Sequence, residues 1–212
     1  MQFGYSGTPQ SSQNSGSLKS GQTRISATPT SPPATASLPA TPTPPGRCLP
    51  PLENGDLEAG DARGWALAPA DGPARPAAEA ETGPTGGDWS LRVGVPAGAL
   101  DLGRTWSYAA QVVAVPADVV TATIRFAVRP VSQEAGTGDW QMVTLRDADG
   151  LPLQLLAWHP GVTAPAWSEV TLPLEPELVA GRTVRFAAEV YNDGDGAPSM
   201  LFVDNVRLSA CR

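Results

Sequence analysis

The sequence predicts an all-β protein: two packed antiparallel sheets, preceded by a disordered or extended Ser/Thr/Pro-rich N-terminal segment. Three observations carry that expectation. From Cys48 onward, short apolar runs alternate with period two and are separated by Gly, Pro, Asp and Asn, the pattern of half-buried strands joined by tight turns. No amphipathic helical pattern interrupts them,. Upstream, Met1 to Arg47 holds 16 Ser or Thr, 8 Pro and 5 Gly, which offers too little apolar surface to offset the entropy lost on ordering.

Residues 1–47 therefore read as a linker or stalk, and 48–212 as one β-sandwich domain. The Pro-rich part from Pro29, ending in Thr41-Pro42-Thr43-Pro44-Pro45, favours extended polyproline II, and Ser6 to Gly21 is the more flexible stretch,. Its hydroxyls suit O-glycans; the plainer reading is an inert tether. The chain has 212 residues with 41% hydrophobic and 17% charged, which fits a single core better than two. Its longest apolar runs are broken by Pro or Arg well short of the roughly 20 residues a bilayer-spanning helix needs. Met1 to Gln10 has neither a basic start nor an apolar run, so an export signal is not expected in this chain. The net charge of -7 is uneven: residues 1–47 carry three bases and no acid, leaving 21 acids against 11 bases in the remainder. Such a domain repels phosphate backbones, which argues against nucleic-acid binding.

The clearest strand is Thr121 to Arg129, with Ala122, Ile124, Phe126 and Val128 on a core face and Thr123, Arg125, Ala127 and Arg129 on a wet one,. The same alternation places strands at Trp89 to Val95, Thr105 to Val115, Trp140 to Asp147, Pro152 to Trp158, Ser168 to Leu174, Thr183 to Tyr191 and Leu201 to Leu208. Asp147-Ala148-Asp149-Gly150 reads as a hairpin turn. Asn192-Asp193-Gly194-Asp195-Gly196 reads as a hairpin loop rather than a calcium loop, because Pro198 stands where the sharp turn needs Gly and Ala197 lacks a side-chain oxygen,.

Cys48 and Cys211 bracket the sandwich. Pairing them would tie the first strand to the last, and chain ends are commonly adjacent in compact domains; two free thiols are the alternative. A disulfide implies an oxidising compartment. Two Cys and the single His159 at such separations do not make a zinc site.

The opening Leu52-Glu53-Asn54-Gly55-Asp56-Leu57-Glu58-Ala59-Gly60, followed by Gly64-Trp65, resembles the Asn-Gly-Asp-Phe-Glu and Gly-Trp start of galactose-binding-like jelly rolls. These include several carbohydrate-binding module families and the MAM adhesion domains. Gly87-Asp88-Trp89-Ser90-Leu91-Arg92-Val93, Ala180-Gly181-Arg182-Thr183-Val184-Arg185-Phe186 and Phe202-Val203-Asp204-Asn205-Val206 look like their later strands, in the same order. The resemblance covers Cys48 to Cys211 and implies a jelly-roll sandwich. It also supports the bridge, since MAM domains place cysteines near these ends. Leu57 replaces the usual Phe, and Asn205 the second Asp of the terminal pair.

The resemblance implies a structural calcium ion between the first and last strands. By position its side-chain ligands are Glu58 and Asp204, joined by the Gly86-Gly87-Asp88 turn, with Asp88 as a third metal-site residue, and by the Asn54 to Asp56 segment. Calcium takes six to eight oxygens, so two carboxylates need backbone carbonyls beside them.

Catalysis finds no support: His159 has no motif supplying a nucleophile or an orienting acid, and no nucleophile elbow, zinc-protease helix or phosphate loop occurs,. Most acids lie in turns. Six Trp and three Tyr exceed what a small sandwich core needs, and aromatic planes stack on the apolar faces of sugar rings. The expected ligand-binding residues are Trp106, Tyr108 and Trp158, with Arg125, Arg129 and Gln111 as polar partners. Trp65, Trp89 and Trp167 are expected in the core. The function that follows is an extracellular or cell-surface, non-catalytic module for glycans, with calcium and one disulfide. The alternative is a structural or adhesion subunit whose N-terminal tail contacts neighbouring protein subunits.

Overall fold

A computed structural model describes residues 47–69, 74–78, 87–96, 98–99, 103–133 and 138–212. The stalk reading for residues 1–47 falls, but for Arg47, outside the described residues. The described chain forms ten strands and one helical turn: β1 (Ala66–Ala68), β2 (Arg75–Ala78), β3 (Trp89–Gly94), β4 (Thr105–Ala114), β5 (Thr121–Ser132), β6 (Trp140–Asp147), β7 (Pro152–His159), β8 (Ser168–Leu174), α1 (Pro176–Val179), β9 (Thr183–Asn192) and β10 (Ser199–Cys211). All strand pairs are antiparallel, in two five-stranded sheets ordered β1-β4-β9-β6-β7 and β2-β3-β10-β5-β8. We call these the β9 sheet and the β10 sheet after their central strands.

The eight strands expected from alternation are all present, and β10 runs further at both ends than Leu201 to Leu208. Two strands escape the alternation test for physical reasons. β1 is three residues, Ala-Leu-Ala, without a β-branched side chain. β2 contains Pro76, which has no N–H to give a ladder, and it accordingly sits at a sheet edge with β3 as its one partner,. The helical turn α1 was also not expected; Pro176 starts it and Val179 is carried into the core,.

The core lies between the sheets. On β5, Ala122, Ile124, Phe126 and Val128 point inward and are buried, as alternation requires. The opposite face is not uniformly wet: Ala127 is buried there, between Asp204 of β10 and Glu169 of β8. On the same outer face Phe202 is covered and meets the ring of Trp167 at 6.3 Å. Trp167 therefore packs outside the sandwich rather than in its core. Trp65 does enter the core; its ring edge meets Phe186 of β9 at 6.0 Å, and Phe186 meets Phe126 of β5 at 5.5 Å. This aromatic line joins the sheets, each edge-to-face pair adding about 0.5–1.5 kcal/mol beyond area burial.

Turn chemistry sets the hairpins. At the β6–β7 turn, the Asp147 carboxylate accepts the N–H of Leu151 at 2.8 Å, and Gly150 takes a φ of 86° that other residues resist,. At the β9–β10 loop, Asp193 accepts the N–H of Asp195, and Asp195 that of Ala197, at 3.0 and 2.8 Å. These acids are used by their own backbone, as the hairpin-loop reading anticipates.

Cys48 and Cys211 are disulfide-bonded across 163 residues of sequence and form an isolated antiparallel bridge. Backbone bonds on either side, Leu49 N–H to Ala210 at 2.9 Å and Arg212 N–H to Arg47 at 3.1 Å, extend the closure. Among the described residues no helix is long and apolar enough to cross a membrane. Closing a loop this long restricts the unfolded chain most, so the Cys48→Ser/Cys211→Ser double variant should lose about 2–5 kcal/mol and melt roughly 10 °C lower. The check is thermal unfolding with and without reductant. The wild type should move to the variant's midpoint on reduction, and equal midpoints throughout would contradict the role assigned to the bridge.

Candidate functional site

Two regions gather chemistry-bearing side chains. The first is one end of the sandwich, where the loop of residues 54–60 meets β10. Asn54 and Leu57 adopt left-handed φ values of 48° and 61°. The Asn54 side chain fixes the loop by accepting the Ala59 N–H at 3.1 Å and donating to the Asp61 carbonyl at 2.9 Å. Leu57 is fully buried, so it fills the place of the larger aromatic residue of the similar motif. Val206 N–H donates to the Gly55 carbonyl at 2.7 Å, which docks the loop on β10. The docking point is a bulge: pairing between β10 and β5 shifts register between Asp204 and Arg207, and Asn205 takes a φ of 53°,.

Asp204, just before the bulge and in register with Ala127, lies on the sheet face away from the core yet is covered, at 1% exposure. One carboxylate oxygen accepts the Asn205 N–H at 2.6 Å, and the other is buried without a hydrogen-bond partner. Burial pushes the carboxyl up to about 7, and the negative charges of Glu58 and Asp56 add to the rise,. The Glu58 carboxylate accepts the N–H groups of Asp88 and Trp89 at 3.1 and 3.3 Å. Residue 87 must be Gly for this, because a Cβ there would collide with that carboxylate. Glu58 thus receives N–H donors from the end of the turn at residues 87–88 and the start of β3, and Gly86 lies outside the described residues. Among the described residues, no three carboxylate, imidazole or thiol side chains converge to hold a metal, so Asp88 does not join Glu58 and Asp204 in one cluster. An orphan buried carboxylate oxygen beside two further acids nevertheless has the hard-oxygen character that suits a divalent cation.

The second region is the outer face of the β9 sheet. Pairing of β9 with both neighbours puts Trp106, Tyr191 and Trp140 in one cross-strand row, Tyr108, Glu189 and Met142 in the next, Ala110, Ala187 and Thr144 in a third, and Val112, Arg185 and Arg146 in a fourth. Trp158 on β7 sits opposite Met142. The rings form a cluster: Trp106 meets Trp140 edge-on at 4.7 Å, Trp140 stacks on Tyr191 at 5.3 Å and 26°, and on Trp158 at 6.3 Å and 23°. Despite these contacts Trp106 is 45% and Trp158 54% exposed. Two large apolar rings left in water at one end of a sheet face form a patch of the kind that marks a binding surface,.

Beyond the rings the face becomes polar. Arg146 donates from Nε and Nη2 to the two carboxylate oxygens of Glu189, each at 2.8 Å, and from Nη1 to the Gly150 carbonyl at 2.8 Å. Thr144 Oγ1 donates to Glu189 at 2.8 Å. Glu189 is only 3% exposed, so the pair is fixed and dehydrated,. A hollow of about 270 Å3 opens here, lined by Trp106, Tyr108, Arg146, Arg185 and Glu189, with Ala187 at its floor.

Trp106, Tyr108 and Trp158 thus stand on one face, as the sequence placed them. Their expected polar partners do not. Gln111 points into the sandwich at 5% exposure, and its amide donates to the carbonyls of Glu53 and Gly64 at 2.7 and 3.0 Å. Arg125 and Arg129 belong to β5, in the other sheet; Arg125 is exposed and pairs with Glu169 at 2.6 Å, while Arg129 is opposite Phe202. The polar groups that share the outer face with the rings are Glu189, Arg146, Arg185 and Thr144. His159, at the end of β7, is opposite Gln141 of β6, and burial holds its imidazole below the ordinary value.

No family model and no curated protein sequence matches the chain. Solved structures do. A family 61 carbohydrate-binding module in complex with beta-1,4-galactotriose aligns with a TM-score of 0.53 at 12% identity, covering 74% of this chain and 95% of that one. A cleaved adhesin domain of Lys-gingipain from Porphyromonas gingivalis W83 aligns at 0.48 and 13%, covering 73% and 94%. A family 15 xylan-binding module aligns at 0.45 and 12%, covering 78% and 97%. The described domain has the β-sandwich fold seen in carbohydrate-binding modules.

Two outcomes follow from these two regions. Without divalent cations, Asp204 titrates near 7 in the folded chain and near 3.8 when unfolded, so the folded state holds the proton more tightly. Stability should therefore decline as pH rises from about 4 to about 7 and change no further on this account above that. Denaturant titrations in chelator across that range should show the decline for wild type and a flatter profile for Asp204→Asn; parallel profiles would contradict it. At the second region, Arg146→Met strands a buried carboxylate and should cost about 3 kcal/mol or more by the same measurement at pH 7, with partial recovery in the Arg146→Met/Glu189→Gln double variant.

Proposed function

We propose that this chain is a non-catalytic carbohydrate-binding module that holds its glycan on the outer face of the β9 sheet. The observation that supports the reading is the exposed ring cluster of Trp106, Trp140, Trp158 and Tyr191, continuous with the polar groups of Glu189, Arg146 and Arg185. Sugar rings have apolar C–H faces that stack on aromatic planes, and hydroxyls that need fixed donors and acceptors nearby. This face offers both. The Arg146–Glu189 pair is immobilised before any ligand arrives, which lowers the entropy lost on binding.

The sandwich is read as a jelly roll working outside the cytoplasm, where the Cys48–Cys211 disulfide persists,. Residues 1–47 serve as its stalk. Calcium is proposed at the other end of the sandwich, held by Glu58 and Asp204 with backbone oxygens of the residue 54–57 loop. Its charge would keep the Asp204 carboxylate ionised and join the loop to β10. Calcium should then raise the melting temperature relative to chelator, and Asp204→Asn should abolish that rise. An unchanged wild-type midpoint would remove the ion from the account.

The binding test is a polysaccharide panel including β-1,4-galactan, xylan and a polyuronate. Trp158→Ala should lower binding to the retained polymer at least about tenfold while leaving the melting temperature within a few degrees, because this ring is exposed and, among the described residues, stacks on Trp140 alone,. Wild-type protein that retains no polymer but assembles with itself or with a surface protein would replace this reading with the structural one.

A further inference from the structure

We infer that the Arg185 end of this face receives a carboxylate, so that the glycan is an acidic one built from uronic acid residues. The inference rests on the glycan reading and names the substrate class. Along β9 the outward positions are Tyr191, Glu189, Ala187 and Arg185. The backbone from Tyr191 to Arg185 therefore spans about 20 Å at roughly 3.3 Å per residue, and one hollow lined by both Trp106 and Arg185 lies along it,. A chain of sugars stacked on the rings and following β9 arrives at Arg185.

Two arginines meet there, Arg146 and Arg185, directly opposite on adjacent strands. Like charges in that arrangement repel. Only one of them is neutralised: Arg146 spends its guanidinium on both Glu189 oxygens, on Thr144 and on the Gly150 carbonyl. Arg185 forms no ion pair with any described carboxylate. Neither acid of the adjoining hairpin lines the hollow: the Asp147 carboxylate accepts the Leu151 N–H, and Asp149 is exposed at the turn tip. The hollow consequently carries one uncompensated positive charge in a chain whose net charge is -7.

Space is left around that charge. Ala187 lines the hollow with a single methyl, and residue 150 is Gly, where an added Cβ would come into van der Waals contact with the Arg185 guanidinium at 3.9 Å and take up room beside it. Arg185 is half-buried, so its field is less screened by water than that of a surface arginine. A planar guanidinium fork matches a planar carboxylate through two parallel N–H···O bonds. A sulfate ester supplies the same charge in tetrahedral form, and we assign the carboxylate for the planar match.

The test uses the full chain with polygalacturonate, with the same polymer after chemical reduction of its carboxyl groups, and with a sulfated galactan, at low and high salt. Wild type should bind polygalacturonate roughly tenfold or more tighter than the reduced polymer, with the preference shrinking at high salt. Arg185→Gln should erase the preference by bringing polygalacturonate binding down to that of the reduced polymer, and Arg185→Lys should restore it in part. Equal wild-type binding to both forms, or a preference untouched in Arg185→Gln, overturns the inference while the glycan reading survives if Trp158→Ala still abolishes binding. A stronger preference for the sulfated galactan overturns the carboxylate assignment. No binding to these or any neutral polymer overturns the glycan reading itself, and this inference with it.

Discussion

The placement of every group on the candidate face depends on the pairing of β9 with β4 on one side and β6 on the other. A strand alternates its side chains strictly, so a slip of one residue would send Tyr191, Glu189 and Arg185 inward and bring Val190, Ala188 and Phe186 out into water. The register is held by what the inward set buries. Phe186 lies between Trp65 and Phe126, at 6.0 and 5.5 Å, and Val184, Ala188 and Val190 are buried in the same core. Binding chemistry on one side of the strand is thus fixed by packing on the other.

The opposite sheet has the complementary task of closing the domain. β10 is central in it and the longest strand, paired with β3 and β5, and its C-terminal end is tied to Cys48. Its bulge at Asp204 to Arg207 breaks the ladder at the point where the residue 54–60 loop docks through the Val206 to Gly55 bond. Beside the bulge that accepts the loop, a buried carboxylate oxygen is left stranded. An ionised acid here is unfavourable for the empty fold, so the local rule is broken where a ligand is proposed. The ring face and the acid pocket therefore differ in kind: the first is preorganised by packing, and the second carries an unmet electrostatic demand.

The sequence made the strands legible because alternation is a local property, visible in Thr121 to Arg129 without knowledge of partners. It made Trp106 and Tyr108 legible as a pair for the same reason, since parity separates them from Ser107 and Gln111 within one strand, whereas Trp158 joins them only through strand order. Which strands adjoin is not local. Arg125 and Arg129 have the parity of an outer face but sit in the other sheet, and only pairing decides that. Glu189, Arg146 and Arg185 were equally visible as charged residues at alternate positions of strands, yet nothing short of the β4–β9–β6 order could join them to Trp106. Gln111 was misread because a polar side chain inside a sandwich looks exposed until the carbonyls of Glu53 and Gly64 that it satisfies are in place,. β1 and β2 were invisible because Ala-Leu-Ala and Arg-Pro-Ala-Ala lack strand character, and their neighbours impose it.

The six tryptophans divide the molecule conveniently. Trp106, Trp140 and Trp158 lie on the candidate face, whereas Trp65, Trp89 and Trp167 lie in the core, at its margin and on the far sheet. Following all six indole N–H signals by NMR while polygalacturonate oligosaccharide is titrated in tests the central claim directly. The account predicts that the signals of Trp106, Trp140 and Trp158 move together and saturate with one affinity while the other three stay in place. Movement confined to Trp167 and Trp89, or saturation of binding with the three face signals unmoved, would contradict it.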